Sequence, residues 1–564
     1  MQVQQESWQA RAKAKVASIT SMIPTEWRLK EADLESAKQQ RKLCGPFFEK
    51  FLDESDLDII RNDSVQLVDK IKSRQYTAVA VTQTYCKAAA VAQQINNCLH
   101  EVMFDAAFKT ARKLDEYYRV NGVVRGPLHG LPISLKDQFH VKGYDTTMGY
   151  VGWIDTYEGG SDPDKVHKTN SLVVDDLLEL GAVLYCKLGE TMNNIIGSTL
   201  NPMNQLLSCG GSSGGEAALQ ALRASSVGLG TDIGGSVRLP AAFCGTYCVK
   251  PTHDRLSYRD VANTNPGQDT YASSVGVMGT SLDAIKMVMS SLLSMKPWMR
   301  DPRVVKMPWD DDVEKSTLGR AMPDGSAIQG LHLKLGILWT DGVVTPHPPV
   351  ARGLRVLNDL LKYKCHVVVD WKPPSHSEAK RIHSAFLKAD GAHDIHHQLD
   401  LSGEPLIPPL RKGMQLREPT PLLEYQGLTI EGNKYNEAYC DYWNTTSNGD
   451  GQRVDAVIMP AAPHAAVIPG KFSHNAYTES INLMDYSVVV MPVTTADKSI
   501  DVFDHDYEPV NETDRMNWLA YDPEVYDGAP VGLQIVARKH EEEKVWAIAK
   551  IIDAALGTKA VDKA

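Results

Sequence analysis

Excess positive charge and closely paired cysteines are both missing from this 564-residue sequence. Lys and Arg number 59 against 70 Asp and Glu, a net charge of -11, and no long basic run concentrates positive charge. Binding to nucleic acid is therefore not expected, because the phosphate backbone attracts basic surfaces. The nine cysteines are scattered and include no C-x-x-C pair. Such a set is typical of reduced thiols in an intracellular protein.

Long apolar runs are missing as well. Residues 1–27 contain no uninterrupted apolar stretch of the kind that a secretory signal needs. The most apolar segments, residues 454–468 and 487–493, are short and contain prolines. A helix that spans a bilayer needs about 20 consecutive apolar residues. We therefore expect a cytoplasmic protein without a membrane partner.

The spacing of apolar residues predicts the fold class. Short apolar runs that indicate buried strands alternate with segments whose apolar residues recur at helical spacing. The predicted strands are residues 131–135, 182–186, 333–338, 367–370, 455–459, 488–493 and 531–536, and the predicted helices include 104–118, 170–180 and 350–361. This alternation is typical of an α/β fold. We predict a mixed, mostly parallel, twisted β-sheet surrounded by helices.

The beginning of the chain differs in composition from the rest. Its first sixty residues are charged and helix-prone, so we expect residues 1–60 to form an N-terminal helical extension that packs on the body. Residues 61–564 contain no visible domain boundary and no internal repeat of fixed period. We predict that they form a single domain.

Residues 209–252 carry the most chemical information, because two clusters of glycine and serine bracket one helix there. Glycines allow positive φ and let backbone N–H groups converge without side chains in the way, as an anion-stabilising loop requires. In residues 232–236, Asp-Ile-Gly-Gly-Ser, consecutive N–H groups can point at one oxygen beside the Ser236 hydroxyl. The segment predicts a nucleophile and an oxyanion-binding loop side by side.

A proton acceptor is needed as well, because a serine hydroxyl is a weak nucleophile at neutral pH. No histidine lies close to Ser236 in the sequence. Lys136 follows the apolar run of residues 131–135, and a desolvated ammonium group loses its proton more readily than an exposed one. Lys136 is therefore the candidate base, although most lysines are ordinary surface residues.

Together these motifs resemble the amidase signature family. The resemblance rests on GPLHGLPISLKDQF at residues 126–139, GGSSGGE at 210–216 and GTDIGGSVRLPAAFCG at 230–245, and it extends over nearly the whole chain. The spacing also agrees, with 76 residues from Lys136 to Ser212 and 24 from Ser212 to the candidate nucleophile.

The resemblance implies a Ser-cisSer-Lys triad, in which Ser236 is the nucleophile, Ser212 relays a proton and Lys136 accepts it. A cis peptide bond is expected before Ser212. The implied reaction is hydrolysis of a carboxylic amide to an acid and ammonia or an amine through an acyl-serine intermediate. The resemblance implies neither a metal nor an organic cofactor.

The same resemblance assigns the surrounding loop. The family's oxyanion donors correspond to Ile233, Gly234, Gly235 and Ser236. Asp232 and Arg238 correspond to positions that buttress this loop, so we expect them behind the reacting groups.

Within this family the sequence is most similar to the fungal acetamidase type, which has segments like NNIIG and NLMDYSVVV. This similarity suggests small aliphatic amides as substrates and, because several family members form homodimers, a second copy of the chain as a partner. One segment departs from the type: the stretch between Lys187 and Asn194 is shorter than in acetamidase-like members, where it helps to line the pocket. Two alternatives follow, an amidase for a bulkier aryl amide or natural product, and a catalytically silent binding protein.

Other interpretations of the glycine-serine clusters stay open at this point. Residues 211–215 fit G-x-S-x-G, in which Ser213 would be the nucleophile of an α/β-hydrolase if a strand ran directly into it. Ser213 and Glu216 also fit a helix capping box. A further alternative is an amidotransferase subunit of the same fold that feeds ammonia to a partner chain.

Overall fold

The computed structural model describes residues 7–447 and 451–557. Its α-helices are α1 (Trp8–Ser21), α2 (Glu31–Gln39), α3 (Pro46–Glu49), α4 (Glu54–Ile60), α5 (Ser64–Lys72), α6 (Ala78–Asn96), α7 (Phe104–Asn121), α8 (Leu172–Glu179), α9 (Gly214–Ala221), α10 (Arg238–Cys244), α11 (Leu282–Ser294), α12 (Asp311–Leu318), α13 (Pro348–Tyr363), α14 (His376–Leu387), α15 (His393–Asp400), α16 (Leu422–Thr445), α17 (Ala476–Met484), α18 (Glu512–Leu519), α19 (Pro523–Tyr526) and α20 (Glu542–Leu556). Short 3₁₀ helices are formed by Thr25–Trp27, Val151–Trp153, Pro297–Met299 and Pro408–Leu410.

The strands form one large sheet and one small hairpin. They are β1 (Leu99–Val102), β2 (Pro132–Lys136), β3 (Val183–Leu188), β4 (Met192–Asn193), β5 (Gly197–Ser198), β6 (Val227–Asp232), β7 (Tyr247–Lys250), β8 (Ser274–Gly279), β9 (Lys334–Ile337), β10 (Val367–Asp370), β11 (Ala456–Pro460), β12 (Ser487–Thr495) and β13 (Pro530–Ala537). The large sheet has the order β1-β3-β2-β6-β8-β7-β12-β13-β11-β9-β10, while β4 pairs with β5.

The predicted α/β fold with a mixed sheet is confirmed, and every strand predicted from an apolar run is present within two residues of its predicted bounds. Strand pairs β2–β3, β2–β6, β9–β11 and β9–β10 are parallel. The pairs of the sheet centre, from β6 through β8, β7, β12 and β13 to β11, are antiparallel. The share of parallel pairs is therefore smaller than the sequence indicated. One cause is that a loop without a helix joins β7 to β8, and such a connection suits antiparallel neighbours.

Helix α13 illustrates how the sequence builds the layers around this sheet. Pro348 stands in its first turn, where the N–H group that proline lacks is not needed. Its buried residues Val350, Leu354, Leu357 and Leu361 recur at helical spacing and form the face that packs on the sheet. Burial of each such side chain stabilises the fold by roughly 1.5–3 kcal/mol. The apolar face thus fixes the position of this helix.

The N-terminal part of the chain is largely helical and contacts the body through charged groups. Helices α1 to α4 lie within residues 8–60. From α1, Lys15 Nζ lies 2.8 Å from Asp145 Oδ2 and also bonds the Glu101 carboxylate. The division into an extension and a separate domain over residues 61–564 stays a prediction.

All nine cysteines lie in the described part of the chain and are free thiols, most of them buried. Within residues 7–447 and 451–557, no helix combines the length and the apolar character that crossing a bilayer requires.

Strands β3, β2 and β6 are parallel neighbours and end at the same edge of the sheet. Lys136, the last residue of β2, lies in register with Leu188, the last residue of β3. Asp232 ends β6 and leads into the glycine loop. The carboxyl ends of parallel strands are the edge where α/β proteins commonly bind ligands. These strands therefore bring several of the predicted site residues to one edge.

Candidate active site

The amino group of Lys136 lies among three oxygen atoms at the end of β2. Its Nζ is 2.6 Å from Ser212 Oγ, 3.0 Å from Thr231 Oγ1 and 3.0 Å from Glu190 Oε1. Only 2% of the Lys136 side chain is exposed, because all residues of β2 are buried. The amino group is therefore held against a serine hydroxyl and away from bulk water.

Ser212 and Ser236 are brought together by their backbones. The N–H group of Ser213 donates to the carbonyl oxygen of Ser236 at 3.0 Å. The peptide bond between Gly211 and Ser212 is cis, as expected. Ser236 is partly exposed, and within the described residues no hydrogen bond engages its hydroxyl group. The hydroxyl of Ser236 is thus available to an incoming molecule.

The glycine loop after β6 turns back on the carboxylate of Asp232. The N–H group of Gly235 donates to Asp232 Oδ1 at 2.8 Å, and Gly235 has a φ of 122°. This corrects the predicted set of four oxyanion donors, because one of them already has a partner in the protein. The candidate donors that remain are the N–H groups of Ile233, Gly234 and Ser236.

Helix α17 packs against the other side of this loop. Thr478 Oγ1 donates to the carbonyl oxygen of Gly234 at 2.8 Å. A Cβ atom placed on Gly235 would lie 2.6 Å from Thr478 Oγ1, and its φ lies in the region that side chains rarely adopt. Only glycine satisfies both conditions. The contact with α17 therefore helps to set the shape of the loop.

Asp232 and Arg238 form a fully buried ion pair behind the loop. Arg238 Nε lies 3.0 Å from Asp232 Oδ2, and Arg238 Nη2 lies 2.9 Å from Asp232 Oδ1. Arg238 also donates to Asn482 Oδ1 at 2.5 Å and to Gln534 Oε1 at 3.3 Å. Burial alone would raise the pKa of the Asp232 carboxyl, but the charge of Arg238 and the hydrogen bonds from Arg238 and Asn482 hold it well below its usual range. Both residues thus support the loop from behind.

Sequence reasoning missed Thr231 and Gln138, which continue the polar chain from Lys136. Thr231 Oγ1 donates to Gln138 Oε1 at 2.5 Å. The Gln138 amide is oriented by its Nε2, which donates to the carbonyl oxygen of Ala262 at 2.8 Å and to the Tyr258 hydroxyl at 3.3 Å. Gln138 lies in the motif of residues 126–139 and Thr231 in the motif of residues 230–245. Their closeness in sequence to Lys136 and Ser236 is the signal that could have identified them.

Glu190 was also missed, although it lies in the segment that was singled out for its short length. The backbone holds this segment against the Ser212 loop: Gly189 N–H donates to the Cys98 carbonyl at 3.0 Å, and Thr191 N–H donates to the Ser212 carbonyl at 3.2 Å. The short length of the segment drew attention to these residues but not to the Glu190 carboxylate. Its contact with Lys136 depends on the pairing of β3 with β2, which the sequence does not show.

Ser213 does not have the setting of a nucleophile in an α/β-hydrolase. Residues 199–211 form no strand that would run directly into it, and its buried Oγ lies 3.5 Å from the carbonyl oxygen of Thr231. The predicted capping box is wrong, since the Ser213 side chain makes no cap bond and Glu216 bonds Ser134 in the core instead. Burial raises the pKa of the Glu216 carboxyl to about 8.

One trio in the described part of the chain, Asp145, Asp155 and His167, has ligand atoms close enough together to hold a metal ion. Asp145 already pairs with Lys15 at 2.8 Å and with His167 Nε2 at 2.6 Å. The trio contains none of the predicted site residues. That the reaction needs neither a metal nor an organic cofactor stays a prediction.

The sequence and the fold match one family over most of their length. The Amidase family model matches residues 80–546. Acetamidase of Emericella nidulans is 38% identical over 561 residues, which cover 98% of this chain and 99% of that protein. Amidase 1 of Gibberella moniliformis is 37% identical over 501 residues, 87% of this chain and 92% of that one. The structure of fatty acid amide hydrolase matches with a TM-score of 0.88 at 26% identity and covers 98% of this chain and 95% of that one. The chain therefore belongs to the amidase signature family and is a hydrolase that acts on amide bonds.

Proposed function

We propose that the chain hydrolyses a small aliphatic amide to its acid and ammonia through an acyl-serine intermediate on Ser236, with Ser212 and Lys136 as the other triad members. The observation that carries this proposal is the 2.6 Å contact between Lys136 Nζ and Ser212 Oγ. An amine and a hydroxyl group at this distance are within reach of proton transfer. The N–H group of Ser213 holds the backbone of Ser236 beside the Ser212 loop, and the Ser236 hydroxyl makes no hydrogen bond among the described residues, which also supports the proposal.

In the proposed acylation step, Ser236 Oγ forms a bond to the amide carbon, and the carbonyl electrons move to the oxygen. The proton of Ser236 passes to Ser212, while the proton of Ser212 passes to unprotonated Lys136. The N–H groups of Ile233, Gly234 and Ser236 would then stabilise the oxyanion. Helix α10 begins directly after this loop, and the positive end of its dipole favours the same charge.

The proton relay then runs in reverse. Lys136 returns a proton to Ser212, and Ser212 gives its own proton to the leaving nitrogen as the carbon–nitrogen bond breaks. Ammonia departs and leaves an ester on Ser236. Water attacks this ester through the same relay, which releases the carboxylic acid and restores the three side chains.

The size of the substrate is a separate part of the proposal. The name of the Emericella nidulans relative, acetamidase, supports a small aliphatic amide. A bulkier amide is the second candidate, because the short segment between β3 and β4 would leave a wider pocket. The similarity to fatty acid amide hydrolase in fold also favours this second candidate.

The test measures release of ammonia or amine from acetamide, benzamide, an anilide and a long-chain amide. Ser236→Ala should lose about 1000-fold or more of wild-type turnover. Ser316→Ala, a change at an exposed serine of α12, is the matched control and should retain wild-type turnover. The amide with the highest kcat/KM decides between the two substrate sizes. Failure of the wild-type protein to hydrolyse any amide would contradict the proposal and favour a silent binding protein.

A further inference from the structure

Two hydrogen bonds and one ion pair around Lys136 assign its protons. Ser212 Oγ, Thr231 Oγ1 and Glu190 Oε1 lie 2.6, 3.0 and 3.0 Å from its Nζ. Thr231 has already given its hydroxyl proton to Gln138 Oε1 at 2.5 Å, so Thr231 must accept from the lysine. An ammonium group has three N–H donors. The charged form of Lys136 can therefore donate to both hydroxyl oxygens and still present its charge to the Glu190 carboxylate.

Strand pairing places Glu190 beside this ammonium group. Lys136 lies in register with Leu188 across the β2–β3 pair, and Glu190 follows two residues after Leu188. The backbone at this point is held by Asn193, whose Nδ2 donates to the carbonyl oxygen of Glu190 at 2.9 Å. The Glu190 side chain is 15% exposed, against 2% for Lys136. The carboxylate thus contacts both the buried amine and solvent.

The charged groups that neighbour Lys136 along the chain and on β3 pair with one another. Asp137, the next residue in the chain, lies 3.0 Å from Lys187 Nζ and 3.3 Å from His100 Nδ1. Burial would raise the pKa of the Asp137 carboxyl, but Lys187 and His100 hold it well below its usual range. Asp137 is therefore engaged by its own cations.

The ionisable groups on the β6 side of Lys136 also have other partners or stay neutral. The carboxylate of Asp232 is paired with Arg238, and the carboxyl of Glu216 bonds Ser134. Burial raises the pKa of the Tyr258 phenol to about 12, which keeps that group neutral. In the described part of the chain, Glu190 is thus the one carboxylate within 4.0 Å of the lysine amine.

We propose that Glu190 is a positioning residue that holds Lys136 in its ammonium form in the resting site, and that it thereby sets the pH above which Ser236 is acylated. This inference rests on the proposed function. A carboxylate at this distance stabilises the ammonium form, whereas the proposed relay needs the neutral amine. When Lys136 releases a proton to bulk water, one of its two remaining N–H groups donates to Thr231, and its lone pair faces Ser212. Glu190 therefore acts on the base through its charge and opposes formation of the neutral amine.

Glu190→Gln tests the charge alone, because glutamine keeps an acceptor oxygen at the same place. The measurement is kcat/KM between pH 5 and 10 for the preferred uncharged amide. On the acid side of the profile, kcat/KM falls as the pH is lowered, and we call this part of the curve the acid limb. The midpoint of the acid limb should lie about one pH unit or more lower in the variant than in the wild type. At a pH below both midpoints the variant should be about tenfold faster. Glu190→Asp keeps the charge and should return the limb towards the wild-type pH.

The matched control is Glu404→Gln, a neutralised carboxylate in the same neighbourhood. Glu404 Oε2 accepts from Asn194 Nδ2 at 2.8 Å and makes no ion pair with Lys136 among the described residues. Its acid limb should lie at the wild-type pH. The rate of labelling by a fluorophosphonate probe across the same pH range should show the same shift for Glu190→Gln, because this reaction has no amide leaving group.

An acid limb at the wild-type pH in Glu190→Gln would overturn the inference, as would a folded variant that is inactive at every pH. Circular dichroism spectra and melting temperatures verify that the variants are folded. A wild-type protein that hydrolyses no amide between pH 5 and 10 and is not labelled at Ser236 contradicts the proposed function itself. The two failures are therefore distinguishable.

Discussion

Two ion pairs lie in the candidate site, Asp232–Arg238 behind the loop of Ser236 and Lys136–Glu190 beside Ser212, and they differ in how many contacts each charged group makes. Arg238 contacts both carboxylate oxygens of Asp232 and also donates to three further acceptors, and neither side chain of the pair is exposed. Lys136 has a single contact with Glu190 at 3.0 Å, and the Glu190 side chain is 15% exposed.

This difference separates a pair that holds the backbone from a pair that lies next to reactive hydroxyl groups. Asp232 accepts hydrogen bonds from the N–H groups of Gly235 and Val237 at 2.8 and 3.1 Å, so its charge shapes the loop. Lys136 instead contacts the hydroxyl of Ser212. A saturated pair can fix geometry, whereas a pair with one contact and some solvent access can change its protonation state without moving the backbone.

Lys136→Met should give the largest effect, and it breaks the second pair. We expect kcat/KM to fall about 10,000-fold, because the proposed relay loses its base. The melting temperature should change less than in Arg238→Met, since the Glu190 carboxylate that loses its cation is partly exposed, whereas Asp232 is fully buried. Amide hydrolysis and thermal unfolding measure the two effects, and Lys142→Ala, at an exposed lysine, is the control. A Lys136→Met variant that retains wild-type turnover would refute the role of the amine.

Arg238→Met breaks the first pair and should act mainly on stability. It leaves the carboxylate of Asp232 buried without its cation, which lowers the free energy of unfolding by about 3–5 kcal/mol. Urea unfolding measures this change. The double variant Asp232→Asn/Arg238→Met should recover part of the loss, because it removes the unpaired charge. A single variant as stable as the wild type would show that the pair does not hold the loop.

Glu216 sharpens the comparison, because its buried carboxyl bonds the Ser134 hydroxyl and the Gln220 amide and, among the described residues, pairs with no cation. Burial raises its pKa from 4.5 in the unfolded chain to about 8. Between these values the folded protein holds a proton that the unfolded chain has lost, so stability should fall as the pH rises from about 4.5 to 8, by a few kcal/mol. Glu216→Gln should flatten this dependence in melting temperatures measured at pH 5 and pH 8.5. An equally steep dependence in the variant would contradict the assignment.

Thr231→Val should give the smallest effect, because it removes one acceptor from Lys136 and keeps the shape of the side chain. The expected loss is about tenfold in kcat/KM, which corresponds to one hydrogen bond of about 1.4 kcal/mol. Thr231→Ser retains the hydroxyl group and should restore most of the activity. If valine leaves kcat/KM unchanged, the bond between Thr231 and Lys136 does not orient the amine.

The features that could be predicted from the sequence depend on residues that lie close together along the chain. The apolar run before Lys136 predicted a buried strand that ends at this residue, and β2 ends there. The spacing of Leu354, Leu357 and Leu361 predicted helix α13 in the same way. The glycine-serine clusters marked the loops of Ser212 and the nucleophile, because glycine is required wherever the backbone turns sharply.

The features that were missed depend on which distant segments become neighbours. The antiparallel centre of the sheet arises from the placement of β7 and β8, which no local pattern specifies. Glu190 meets Lys136 only because β3 lies beside β2. The N–H group of Gly235 was assigned to the oxyanion because the sequence does not show that the Asp232 carboxylate turns back to accept it.

Peptide mapping after fluorophosphonate labelling tests the central claim, that Ser236 is the acylated residue. Trypsin cleaves after Lys187, Arg223 and Arg238, so Ser212 and Ser236 fall on different peptides. We predict one adduct, on the peptide of residues 224–238, and none in Ser236→Ala. An adduct on the peptide of residues 188–223, or an unlabelled protein that still hydrolyses amides, would contradict the account.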